Sequence, residues 1–152
     1  HVCLRWVKKN GGQEEQALGR SRGGFSSKIH ILVDALGNPL HFILTGGQRH
    51  DITQAQALIE PYEFEYAIGD KGYDSDEFLA AIAQKNAVAV IPPRASRKEQ
   101  REYDTHIYKE RQLVECFIGK IKWYRRIFSR FDKLQRRYLA FLHFVSTLIW
   151  LR

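Results

Sequence analysis

From residue 28 to residue 91 short extended runs alternate with helix-length segments, and beyond residue 104 the apolar spacing lengthens from two residues to three or four. No other feature restricts the fold as much. Strands linked through helices form a sheet with helices packed on it, so the expected architecture is α/β with a mixed sheet. Residues 28–33 (KIHILV) and 39–45 (PLHFILT) are β-branched or apolar and flank the turn sequence DALGN, which predicts a β-hairpin. After Gly46 and Gly47, Asp51 is placed to cap a short helix through Ile59, ended by Pro61. Phe64, Tyr66 and Ile68 alternate with Glu65 and Ala67, a strand that stops at residues 69–72 (GDKG). Asp74 with Glu77 three residues later is a capping box opening a helix to about Lys85. Residues 87–91 (AVAVI), closed by Pro92 and Pro93, have the composition of a buried central strand. In the last third Ile107, Val114, Phe117, Ile118, Ile121 and Phe128 fall on one stripe of a long helix, and a second helix runs from about Leu134 to the end. Residues 1–27, rich in Gly, Ser and charge from residue 8 onward, read as a flexible arm, and residues 28–152 as one domain without internal repeats.

Composition narrows the function. With 44% hydrophobic and 12% aromatic residues the chain can bury a core, which excludes a disordered or collagenous chain. Cys3 and Cys116 lie far apart with no CxxC, and the six His show no HExxH spacing, so neither a disulfide scaffold nor a zinc framework is expected. The C-terminal apolar run, residues 144–151, is far shorter than the roughly 20 residues a membrane span requires, and no signal peptide is present, which points to the cytoplasm. The chain starts at His1 and contains no Met, so a truncated N-terminus is expected. Charge is uneven: 24 Lys and Arg face 17 Asp and Glu, a net +7. Residues 94–137 hold fourteen of those cations against six acids, so the whole excess belongs to that stretch. Tyr103, Tyr108, Trp123, Tyr124, Phe128 and Phe131 are interleaved with it. This is the footprint of a nucleic-acid face; the other reading is a solvated basic helix with its aromatics turned to the core.

On a helical wheel at about 100° per residue, Tyr108, Arg111, Glu115 and Lys122 share an arc of about 60° and span about 21 Å of axis beside the apolar stripe. Such a ridge either forms an Arg111–Glu115 ion pair, stabilising the helix by roughly 0.2–0.5 kcal/mol, or serves chemistry. Asp70 ends an alternating strand and precedes Gly72, a place where sheets put functional groups and where turns also put Asp. Two carboxylates at one sheet edge can hold a hard divalent ion that activates water or a hydroxyl for attack on phosphate, with the neighbouring cations on the DNA backbone.

Tyr108, two residues, Arg111, three residues, Glu115, six residues, Lys122: this string resembles the signature of bacterial insertion-sequence transposases of the DDE type, in the group named after insertion sequences four and five. Residues 19–24 (GRSRGG), 33–38 (VDALGN), 69–74 (GDKGYD), 91–94 (IPPR) and 148–152 (LIWLR) resemble the same group in the same order, so the likeness covers nearly the whole chain. The resemblance implies a ribonuclease H-like fold and an Asp, Asp, Glu set that binds two Mg²⁺ ions, with Mn²⁺ able to substitute. Such ions clamp the attacking and leaving oxygens of a phosphodiester displacement. Asp70 is then the second carboxylate and Glu115 the third, both metal ligands, while Tyr108, Arg111 and Lys122, with Arg125 and Arg126 beyond them, contact DNA. The implied partners are insertion-sequence ends and target DNA, a second copy of the chain on DNA, and an upstream transposase fragment.

The first Asp of the set belongs to a first strand expected upstream of His1. Residues 1–27 contain no Asp, and Asp34 sits in the hairpin turn, where a structural role is expected. The implied activity is metal-dependent cleavage at insertion-sequence ends and joining of the freed 3′ hydroxyl to target DNA. One alternative is a catalytically inactive, truncated transposase that only binds DNA. Another is a ribonuclease H-like nuclease unrelated to transposition, against which the Tyr, Arg, Glu, Lys string argues. Among the remaining residues, His50 and Asp51 could line the site, although Asp51, Asp74 and Asp76 read first as helix caps. Arg20 and Arg22 are either groove contacts or part of a solubilising loop, and Cys116 is assigned no chemistry.

Overall fold

The structure, a computed structural model, describes residues 2–3, 17, 19–21, 24–47, 49–130, 132 and 134–151. Strands β1 (Val2–Cys3), β2 (Gly19–Ser21), β3 (Gly24–Val33) and β4 (Pro39–Gly46) form an antiparallel sheet in which β3 pairs with each of the others. β3 and β4 are the expected hairpin, with Lys28 opposite Thr45 and Ile31 opposite Phe42. Asp34 closes its turn: Oδ1 accepts from the N–H groups of Leu36 and Asn38, both at 2.8 Å, and Gly37 takes the left-handed φ of 81° that the reversal requires. Pairing begins upstream of Lys28, so residues 19–21 and 24–27 are strand where the sequence reading places an arm. Their Gly- and Ser-rich composition carries no strand pattern; the ladder to a neighbouring strand holds them extended. Residues 1, 4–16, 18, 22 and 23 of that arm lie outside the described residues.

Next come α1 (Ile52–Ile59), β5 (Tyr66–Ile68), α2 (Asp76–Gln84) and β6 (Val88–Val90). β5 and β6 pair in parallel, Tyr66 opposite Val88, with α2 as the crossover. Val88 is 56% exposed, so the AVAVI run is half covered where its composition suggests a buried centre; Val90 and Ile91 alone within it are fully enclosed. Ser75, not Asp74, caps α2, accepting from the Phe78 N–H at 3.2 Å. Asp51 holds the N-cap position of α1 without a side-chain capping bond.

The long helix expected from residue 107 is broken into α3 (Thr105–Tyr108), a 3₁₀ turn at Lys109–Arg111, α4 (Gln112–Lys122) and α5 (Arg125–Phe128). A 3₁₀ turn winds more tightly than an α-helix, so the wheel loses phase between Tyr108 and Glu115 and the four polar residues do not form one continuous ridge. Phe128 is exposed, and Ile127 takes the buried place beside it. α6 (Gln135–Trp150) is the second expected helix.

The chain divides into two compact units, residues 1–49 with 114–152, and residues 50–113. In the first, the hairpin face carrying Phe42 and Leu44 packs with Phe117 and Ile121 of α4 and Tyr138, Leu142 and Val145 of α6. Tyr138 Oη donates to the Ile127 carbonyl at 2.9 Å, and the buried Arg130 lies 4.9 Å from the Tyr138 ring and bonds the Ser27 hydroxyl. In the second, Ala55, Leu58 and Ile59 of α1, Phe78 and Ile82 of α2, and Val90 and Ile91 are the buried residues. Among the described residues no helix is long and apolar enough to cross a membrane.

Candidate active site

β5 ends at Ile68, and Asp70 takes φ −78° and ψ 173°, the extended cap of a 3₁₀ turn over Lys71–Tyr73. Asp70 Oδ1 accepts from the Gly72 N–H at 2.7 Å, and its carbonyl accepts from the Tyr73 N–H at 3.0 Å. A Cβ on residue 72 would lie 2.8 Å from Oδ1, so the carboxylate folds back over Gly72 and a side chain there would push it aside. The residue is exposed, and its Oδ2 accepts no hydrogen bond among the described residues. Burial, reinforced by the charges of Asp51 and Asp70, pushes the neighbouring Tyr73 phenol up to about 12. His50, Asp51, Ile52, Gly72 and Arg94 line a cleft of about 390 Å³ in the same unit. His50 and Asp51 thus border the Asp70 turn.

The residue that sequence reasoning missed is Asp74. Its side chain is fully enclosed. Oδ2 accepts from the Arg94 N–H and from Arg97 Nε, each at 2.7 Å, and Oδ1 from Arg101 Nη2 at 3.3 Å. Burial alone would raise the carboxyl, but the hydrogen bonds from Arg97, the Arg94 amide and Arg101 outweigh it and hold Asp74 below the usual carboxylate range. Arg97 also pairs with Asp76 at 2.7 Å, and Arg101 donates to the Ile91 carbonyl at 2.8 Å. The Arg97 and Arg101 cations of the basic stretch are therefore turned to protein. The arginines at 94, 97 and 101 were the visible signal, but nothing in their spacing points back twenty residues to one Asp.

Tyr108 and Arg111 belong to the second unit, with the Arg111 guanidinium 5.9 Å from the Tyr108 ring and Tyr103 edge-on to it at 5.4 Å. Glu115, Lys122, Arg125 and Arg126 belong to the first. Glu115 and Lys122 are exposed and seven residues apart, hence on one face of α4 and about 10 Å apart along its axis. Gly119 stands between them, and a Cβ there would meet no atom within 4 Å. Trp123 at its end is 90% exposed. Arg126 is held bidentately by Asp132 at 2.8 and 2.9 Å and lies 4.8 Å from the Phe141 ring; both Arg125 and Arg126 are exposed.

Asp34 is structural: Oδ1 serves the hairpin turn and Oδ2 accepts from Asn38 Nδ2 at 3.2 Å. Cys116 is an exposed thiol, and Arg22 and Phe131 lie outside the described residues. Among the described residues no three His, Cys, Asp or Glu side chains are gathered for a metal. Within the second unit the chemistry of Asp70 suits a hard divalent ion, since it presents an exposed carboxylate with one open oxygen.

The profile of the Transposase DDE domain family matches residues 5–149. A Brucella ovis protein named as a transposase for insertion sequence element IS6501 is 37% identical over 129 residues, covering 84% of this chain and 99% of the relative. A Burkholderia cepacia protein named as a transposase for insertion sequence element IS402 is 31% identical over 157 residues, covering 95% of this chain and 70% of the relative. No solved structure matches. With the profile spanning almost all of the residues that carry the fold, the chain belongs to the DDE transposase family.

Proposed function

We propose that this chain is the catalytic portion of a transposase of the group named after insertion sequences four and five. In this reading it has a ribonuclease H-like sheet, cuts insertion-sequence ends and joins the freed 3′ hydroxyl to target DNA. The observation that carries the reading is Asp70, exposed at the end of a parallel strand pair with one oxygen tied to Gly72 and the other open. Glu115, exposed on α4, is the second ligand in this reading. The family implies a divalent metal, and Mg²⁺, with Mn²⁺ as its substitute, is the ion that hard carboxylate oxygens favour. When bound, such ions stabilise the attacking and leaving oxygens of the displacement, so no protein nucleophile is required.

The chain's own part is to place the carboxylates and hold the DNA. Gly72 fixes the Asp70 carboxylate. Lys122 and Arg125 present exposed charge to phosphates, Tyr108 and Arg111 add a stacked pair, and Arg126 supports them from its bond to Asp132. Asp34 is committed to its turn and does not complete the carboxylate set. An upstream transposase segment supplies the first Asp in this reading, with a second copy of the chain on the DNA and the cytoplasm as the compartment.

The test is joining of a precut, labelled insertion-sequence end to plasmid DNA with Mg²⁺ or Mn²⁺, by this chain and by one extended upstream. Asp70→Asn and Glu115→Gln are expected to abolish joining and to leave DNA affinity largely intact. Equal joining by these variants removes the site assignment. Binding without joining by every form marks a chain that only binds DNA.

A further inference from the structure

Arg94 follows Pro92 and Pro93 at the end of the β6 segment, and its donors are distributed along the turn that carries Asp70. Its N–H donates to Asp74 Oδ2 at 2.7 Å, its Nε to the Lys71 carbonyl at 3.1 Å and its Nη2 to the Gly72 carbonyl at 2.8 Å. Lys71 and Gly72 are the two residues after Asp70, and the Gly72 N–H is the donor that holds Asp70 Oδ1. The guanidinium thus grips by their carbonyls the peptides that set the direction of the carboxylate. A lone 3₁₀ turn makes few bonds of its own, so an outside brace decides how sharply it is fixed. The brace is itself anchored: Asp74 is enclosed and held by Arg97 and Arg101, and Gln100 Nε2 donates to the carbonyls of Arg94 at 3.3 Å and Arg97 at 3.1 Å.

We infer that Arg94, locked in place by Asp74, is the positioning residue for Asp70, so that Arg94, Arg97 and Arg101 serve the catalytic carboxylate rather than the DNA face. The inference rests on the reading of Asp70 as a metal ligand. Arg94 acts through the turn and touches neither metal nor substrate. Its planar fork places Nε and Nη2 on one edge to meet two successive carbonyls, which the single ammonium of Lys cannot reproduce.

The full chain and its Arg94→Gln, Arg94→Lys and Asp70→Asn variants are compared by two measurements that need no turnover: amide hydrogen exchange over residues 69–75, and Mn²⁺ affinity by electron paramagnetic resonance titration. Both Arg94 variants are expected to speed exchange at the Gly72 and Tyr73 N–H groups by about tenfold or more, with α2 and the β3–β4 hairpin exchanging as in the wild type. Mn²⁺ affinity falls as it does in Asp70→Asn, and DNA affinity without metal is unchanged. In strand joining the metal concentration for half-maximal rate rises while the KM for DNA does not, a split that a general loss of stability does not produce. Wild-type exchange at Gly72 in Arg94→Gln overturns the inference. So does faster exchange with unchanged Mn²⁺ affinity where Asp70→Asn lowers that affinity, and so does a loss of DNA affinity in Arg94→Gln, which assigns Arg94 to the DNA face. If Asp70→Asn itself leaves Mn²⁺ affinity intact, the metal-ligand reading fails and takes the catalytic half of the inference with it, whereas exchange at Gly72 still decides whether Arg94 holds the turn.

Discussion

Replacing Asp74 with Asn keeps the shape of the side chain and one acceptor oxygen, and removes the charge. The amide oxygen can still serve the two donors now on Oδ2, but the amide NH₂ faces Arg101 Nη2, donor against donor. A hydrogen bond to a charged group contributes about 1.5–3 kcal/mol. The Arg101 bond is the long one at 3.3 Å, and the Arg97 and Arg101 side chains, 25% and 32% exposed, can turn toward water. Loss of one such bond and weakening of the others therefore costs about 2–3 kcal/mol, well below the figure for breaking a fully buried pair. For a chain of this size that lowers Tm by roughly 4–12 °C.

The effect has a sign in pH. Asp74 is held below the ordinary carboxylate value of about 3.9, so its contribution is complete above that value and is lost as pH falls through the lower, folded one. Wild type and variant should differ most near neutrality and converge in acid, where Asp74 takes up a proton and becomes the neutral near-isostere of Asn. Urea denaturation followed by circular dichroism, at neutral pH and at about pH 3, measures both quantities. A gap under about 0.5 kcal/mol at neutral pH, the range of an ordinary surface substitution, would refute the argument. A gap of the same size in acid would refute it equally.

Leu142→Ala, at a site with no exposed surface in the core of the first unit, is expected to cost about 2–5 kcal/mol in the same denaturation assay, because the cavity is walled by hairpin and helix together. Phe144→Ala, two positions along the same helix but 58% exposed, should cost under about 0.5 kcal/mol; equal losses would contradict the orientation of α6. Combining Lys122→Ala with Arg125→Ala should weaken DNA binding and flatten the dependence of log affinity on log salt by about 0.9 per phosphate contact removed. An unchanged slope would take both residues off the DNA face.

What the sequence made legible is what depends on neighbours along the chain. The β3–β4 hairpin follows from two alternating runs about a turn whose Asp and Gly are each required by its geometry. The α2 crossover and the stripe of Phe117 and Ile121 were equally local signals. The errors arose where a distant group decided. Asp74 and Ser75 are both good caps, and the choice between them was made by Arg97 and Arg101, which lie more than twenty residues further on and draw the carboxylate inward. Residues 109–111 carry no Pro or Gly to announce a change of winding, so a uniform wheel from Tyr108 to Lys122 was a fair reading of the letters and a wrong one of the backbone. Asp70 was legible as a strand-end carboxylate, but not the open oxygen beside Gly72 or the clasp of Arg94 on the following peptides.

The first unit is made of two stretches, residues 1–49 and 114–152, separated in the chain by the whole of the second. This has a consequence for synthesis. At roughly 5–20 residues per second, the hairpin carrying Phe42 and Leu44 waits about 5–20 s before Tyr138, Leu142 and Val145 leave the ribosome to cover it. Residues 50–113 hold their own apolar cluster and can close as soon as they emerge. Folding therefore runs from the middle outward, and the last helix made completes the first strands made. A message cut short between residues 113 and 138 leaves that strand face without the α6 side chains that cover it, so it is expected to yield an aggregating chain.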